Sequence, residues 1–165
     1  MRKNLMSAIF IAILSIGFAG CSSSSTTILQ PNSNLGKVKY SSYNIQEVII
    51  ANNVPFEQRE YFKTKLDGLI FKQFANKGND LSIKYSFITY NEGNQFARYM
   101  LGGIGGAGKG ELVVKAEFFD LSNQKIGEIQ SKGEIAVGLF GGSFKGTLDK
   151  VAEEISNYTV QNYLK

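Results

Sequence analysis

The 165-residue chain has no histidine. That removes a catalytic triad with a histidine base and any histidine-based metal site. It has a single cysteine, Cys21, and a lone exposed thiol is a liability in an oxidising compartment. Its 18 lysines and arginines are spread along the chain among 14 acidic residues, so there is no basic cluster of the kind that grips nucleic acid. The apolar run Leu5–Phe18 is 14 residues long, short of the ~20 that a membrane-spanning helix needs. A phosphate loop is excluded as well. Gly103-Ile-Gly-Gly-Ala-Gly-Lys109 is followed by Gly110, where a Mg²⁺-binding Ser or Thr would be required. The pattern after it predicts a strand, not the helix whose free N–H groups would meet a phosphate.

What is present at the N-terminus has the form of an export signal. Arg2 and Lys3 precede the apolar run, which has the length and flanks of a signal-peptide core. The run closes in Phe18-Ala19-Gly20-Cys21. This resembles the lipobox of bacterial lipoproteins, with Phe18 where that pattern usually has Leu. The resemblance implies that Cys21 receives a diacylglycerol and becomes the first residue of the mature chain, which gives the lone thiol a use. Several acyl chains make a stable anchor, each buried CH₂ contributing ~0.8 kcal/mol. Ser22 rather than Asp follows, and by the sorting rule of such lipoproteins this implies the outer membrane, on its periplasmic face. Removing residues 1–20 takes away Arg2, Lys3 and no acidic residue, lowering the net charge from +4 to +2. The remainder is long enough for one ordinary domain.

Residues 21–36 are rich in Ser, Thr and Asn and read as a flexible tether with too little apolar content to fold. At ~5–6 Å × √n it would hold the domain near the membrane but not against it. Residues 37–165 read as a single α+β domain. Lys37–Asn52 is β-favouring through Tyr43, Ile45, Val48, Ile49 and Ile50. Pro55 suits the first turn of a helix over Phe56–Asn76, where Phe62, Leu66, Leu69, Ile70 and Phe74 recur at helical spacing. Gly68 invites close packing within it, and Gly78 is a stop signal. Leu81–Tyr90 alternates cleanly, with Leu81, Ile83, Tyr85 and Phe87 on one face. Leu112, Val114, Ala116 and Phe118 mark another strand, and 120–125 has turn composition. Ile129, Ile135 and Val137 mark a third, with Ile126 out of phase, which predicts a bulge near Gly127. A closing helix carries Leu148, Val151, Ala152, Ile155, Tyr158, Thr159 and Tyr163, with Ser143 or Thr147 as N-cap. The order β-α-β-β-β-α predicts a three- to four-stranded, mainly antiparallel sheet with two helices on one face. The first two strands, flanking a helix, can lie parallel.

Two glycine-rich stretches, 98–110 and 138–146, flank the hairpin strands. Antiparallel pairing around Ser122–Asn123 puts the start of one strand beside the end of the other. Both stretches then lie at one end of the sheet, together with Arg98, Lys109 and Lys145, the candidate ligand or partner contacts. Exposed N–H groups there could meet an anion or a partner. Glu111, Glu117 and Asp120 read as a solvated face rather than a hydrolytic pair.

From Arg98-Tyr99 through the glycines, the strand to Asp120, Lys125-Ile-Gly127 and the glycines before the last helix, the chain resembles a family of uncharacterised bacterial lipoproteins, domain of unknown function 4410. The resemblance implies an α+β domain tethered to an envelope membrane and brings no activity, cofactor or catalytic residue. The expectation is a non-enzymatic outer-membrane lipoprotein, without metal or cofactor, that docks on an envelope partner through the glycine-rich end. Two alternatives stay open: a small-ligand or anion binder, and an oligomeric assembly or pore component. The last is motivated by Gly102, Gly106 and Gly110, spaced as in closely packed membrane helices.

Overall fold

The computed structural model describes residues 23–33, 38–48, 53–94, 108–135 and 143–164. Seven elements follow in order: β1 (Ser23–Gln30), β2 (Tyr43–Glu47), α1 (Phe56–Gln73), β3 (Leu81–Asn91), β4 (Glu111–Phe119), β5 (Lys125–Glu134) and α2 (Phe144–Tyr163). The strands form one five-stranded sheet in the order β1-β5-β4-β3-β2. It is mixed: β2 runs parallel to β3, and every other pair is antiparallel. The α+β class and its two helices stand, while the sheet is larger than the three or four strands expected.

The extra strand comes from the stretch read as a tether. Ser23–Gln30 pairs antiparallel with β5, from Ser23 opposite Glu134 to Gln30 opposite Glu128. Composition argues against order here, because none of its side chains is buried. Backbone pairing and hydrogen bonds supply the order instead. The hydroxyls of Ser24 and Thr26 donate to the two carboxylate oxygens of Glu154 on α2, at 3.3 and 3.2 Å.

Both helices cover the same face. On α1, Phe62, Leu66 and Ile70 are fully buried, with Leu69 and Phe74 packed beside them. The Phe62 ring lies 5.3 Å from those of Tyr85 and Phe87 on β3. The helix ends at Gln73, three residues before the expected Asn76, where Phe74 turns to extended backbone. Gly68 meets nothing within 4 Å, so it mediates no close helix contact. Gly78 packs against Ser42 instead of capping the helix. On α2 the expected stripe is buried, with Tyr158 at its margin, and Phe118 of β4 stacks on Tyr163 at 4.4 Å. Ser143 is the N-cap, its hydroxyl accepting from the Gly146 N–H at 3.1 Å. The helices are tied to each other by Tyr61 and Lys65 of α1, which reach Asp149 of α2 at 2.5 and 3.1 Å.

Two bulges adjust the phase of the inner strands, and a third irregularity lies in β1 between Ile28 and Gln30. One between Phe87 and Thr89 turns Ile88 outward and returns Tyr90 to the helix side, opposite Leu112. The other lets Ile126 bulge between the Gly127 and Lys125 pairings, as its phase predicts. Two glycines of β5 let α2 approach closely. A Cβ on Gly133 would meet Thr147 and Val151 at 2.5 and 2.8 Å, and one on Gly127 would meet the Tyr163 hydroxyl at 2.0 Å. The opposite face of the sheet is a lattice of charges. Lys132 lies between Glu111 and Glu134 at 3.2 and 2.8 Å, and Lys125 between Glu117 and Glu128 at 3.3 and 2.6 Å. The two pairs that cross from β5 to β4, Lys132–Glu111 and Lys125–Glu117, favour the register by tenths of a kcal/mol each.

Candidate functional site

The hairpin turn sits at Asp120–Gln124. The Asp120 carboxylate accepts from the N–H groups of Ser122 and Gln124, both at 2.9 Å, and Asn123 takes a positive φ of 56°. The register then brings Asn91, Glu111, Glu134 and Ser23 side by side at the other end of the sheet. Both glycine-rich stretches leave and return at this end. The described part of the first is tight backbone packing: the Asn94 N–H donates to the Gly108 carbonyl at 3.2 Å, and the Ile135 N–H to the Gly110 carbonyl at 3.1 Å. Gly93 has φ +70°, and a Cβ there would sit 2.2 Å from the Gly108 oxygen. A Cβ on Gly110 would meet Ile135 at 2.6 Å and the Glu92 carbonyl at 2.7 Å. These glycines permit an approach that no side chain allows. Gly110 leads directly into β4, not into a helix, which removes one member of the four-residue spacing behind the pore reading.

Of the four residues singled out in the sequence, Cys21 and Arg98 lie outside the described residues. Lys109 is exposed at the glycine-rich end, on the side of the charged face. The hydrogen bond from Lys132, and less strongly the charge of Lys109, hold the Glu134 carboxyl below the usual carboxylate range. Lys145 lies at the same end but on the helical side, its ammonium 4.7 Å from the centre of the Tyr61 ring, a cation–π contact. The two lysines share an end of the domain but are engaged on opposite faces of it.

The sequence did not reveal a cleft of about 690 Å³ along β2 and α1, walled by Tyr43, Asp67, Phe71 and Lys77 among others. It falls within the size range of small-molecule sites but lies toward the start of β3, away from the glycine-rich end. The Lys77 ammonium pairs with Asp67 and sits 4.6 Å from the Tyr43 ring centre. Desolvation by burial pushes its pKa down. Burial likewise pushes the Tyr43 phenol up to about 12. The one signal for this cleft in the sequence was Phe71, a large apolar residue off the buried stripe of α1 and 46% exposed. Among the described residues no three metal-type donors converge, and no helix is long and apolar enough to cross a membrane.

Comparison with known proteins gives a partial placement. Residues 62–138 match the family described as Domain of unknown function (DUF4410). The match runs from within α1 to just past β5, so it holds three of the five strands and the turn between β4 and β5. No curated protein matches the chain. Among solved structures, a PelC dodecamer from Paraburkholderia phytofirmans is similar with a TM-score of 0.54 at 6% identity, over 88% of this chain and 100% of that one. A variant PelC dodecamer from the same organism gives 0.47 at 11% identity, over 82% and 98%. A PDZ domain protein from Parabacteroides distasonis gives 0.46 at 11%, over 87% of this chain and 36% of its own. At these identities the likeness to the first is one of fold.

Proposed function

We propose that the protein is a non-enzymatic, lipid-anchored component of the outer membrane, attached through Cys21 on the periplasmic side, whose domain docks through its glycine-rich end. The observation that carries this reading is the convergence of both glycine-rich stretches on the end of the sheet where β1 begins, with Lys109 and Lys145 at its margins. The lipobox-like Phe18–Cys21 supplies the anchor. Fractionation tests the anchor: the wild type is expected in membranes and Cys21→Ser in the soluble fraction. Continued membrane residence of that variant overturns it. The docking end is tested by reversing Arg98, Lys109 and Lys145 to Glu. In a pull-down, recovery of an envelope partner equal to that of the wild type counts against it.

Two other readings have a specific observation behind them. Assembly into a homo-oligomer is favoured by edge strand β1, which leaves one side of its backbone open to a further strand, and by β2 beyond Tyr43, whose own outward N–H and C=O are taken by Asn76 and Gly78. The similar fold of PelC occurs in a dodecamer. Sizing in detergent tests this reading, and a monomer removes it. Small-ligand binding is favoured by the cleft beside Lys77 and Asp67. A thermal-shift screen against phosphates, glycans and lipids tests it, since a ligand at 100 times its Kd stabilises by ~2.7 kcal/mol.

A further inference from the structure

We infer that the end of the sheet where β1 begins faces the lipid surface, and that β1 holds this end against the bilayer. The inference rests on the lipid-anchor reading of Cys21 and goes beyond it by giving the domain an orientation and a distance.

The distance follows from covalent geometry. Ser23, the first residue of β1, is two positions after Cys21. Consecutive Cα atoms are 3.8 Å apart, so Ser23 lies at most about 7.6 Å from an acylated Cys21. Acyl chains in the bilayer keep the Cys21 backbone at the headgroup layer. Ser23 is itself part of the sheet, opposite Glu134. Ser24 and Thr26 are fastened to α2 through Glu154. The domain therefore hangs from the lipid by its own edge strand, with only Cys21 and Ser22 ahead of it.

The orientation follows from the register. Ser23 stands beside Glu134, Glu134 beside Glu111, and Glu111 beside Asn91. The end of the sheet nearest the lipid is the end where residues 94 and 108, and 135 and 143, bracket the glycine-rich stretches. The β4–β5 turn at Ser122–Asn123 is at the far end of the nine-residue β4, about 30 Å away at ~3.4 Å per residue.

The experiment uses the full chain, expressed with its own signal and reconstituted into vesicles that contain headgroup-nitroxide lipid. Asn94→Cys and Ser122→Cys place a fluorophore at the near and far ends, both at exposed positions. Cys21 is the only native cysteine, so an acylated chain takes up one label. Several-fold stronger quenching at Asn94→Cys than at Ser122→Cys is the expected result. Equal quenching, or stronger quenching at the far end, in protein that floats with the vesicles overturns the orientation while leaving the anchor intact. Two labels per chain and failure to float would instead mean that Cys21 is not acylated, and both readings would fall. A fifteen-residue Gly/Ser insertion between Ser22 and Ser23 is expected to abolish the contrast between the two positions. Its persistence would show that something other than β1 sets the orientation.

Discussion

At one edge of the sheet β2 buries Tyr43 completely, with its backbone N–H on the Asn76 carbonyl and its carbonyl accepting from the Gly78 N–H. At the other edge β1 buries no side chain at all, and Ile28 and Leu29 are about half exposed. The first edge is held by apolar burial and by Glu47, whose carboxylate takes two hydrogen bonds from Arg59 of α1, at 2.6 and 3.1 Å. The second is held by backbone pairing and the Glu154 carboxylate. The difference separates an edge that the core makes from an edge that is added to a finished core.

Removing the Tyr43 side chain should break this contrast most severely, because it deletes a fully buried ring. Tyr43→Ala is expected to cost about 3–5 kcal/mol in urea unfolding. A loss below 1 kcal/mol would mean that the β2 edge is not core-built. Next is the closeness of α2 to β5, on which the β1 side relies. Gly133→Ala puts a methyl within 2.8 Å of Thr147 and Val151 and should cost about 1–3 kcal/mol through overpacking. Glu154→Ala is expected to cost about 1 kcal/mol. Hydrogen exchange should quicken across residues 23–30 and stay unchanged across 43–47. Equal quickening at both edges would erase the distinction.

The smallest effect concerns acid. Hydrogen bonds from the Ser41 hydroxyl and then Ser42 hold the Asp80 carboxyl, which adjoins the start of β2, below its ordinary value. A depressed carboxylate pKa stabilises the fold above the unfolded value, near ~3.9. That contribution is lost as pH falls through the lower folded value. An NMR titration of Ser41→Ala should show the Asp80 midpoint move upward. An unmoved midpoint would assign the depression to another cause.

The same contrast explains what could be read in the sequence. The stripe from Phe62 to Ile70, the alternation from Leu81 to Phe87, the Ile126 bulge and the stripe from Leu148 to Tyr163 are local patterns of apolar residues, and each is where it was expected. The parallel lie of β2 and β3 and the meeting of the glycine stretches at one end follow from those elements by chain geometry. Ser23–Gln30 was misread because its order depends on Glu154 and on the backbone of β5, residues about a hundred or more positions away that leave no mark on its own composition. The cleft beside Lys77 escaped notice for a similar reason. It is made by the crossing of β2, α1 and the 77–79 turn, while Glu60, Lys63 and Asp67 in sequence look like the ordinary wet side of a helix.

Ser24 and Glu154 are 130 positions apart. Closing so long a loop carries an entropic cost that grows with the logarithm of its length, so the fastening of β1 is a late contact that needs α2 as well as the backbone of β5. A strand that joins last contributes little to the folding transition state, and loosening it should speed unfolding while leaving the folding rate unchanged. During synthesis the residues of β1 thus remain without a place in the sheet until β5, about a hundred positions later, has been made.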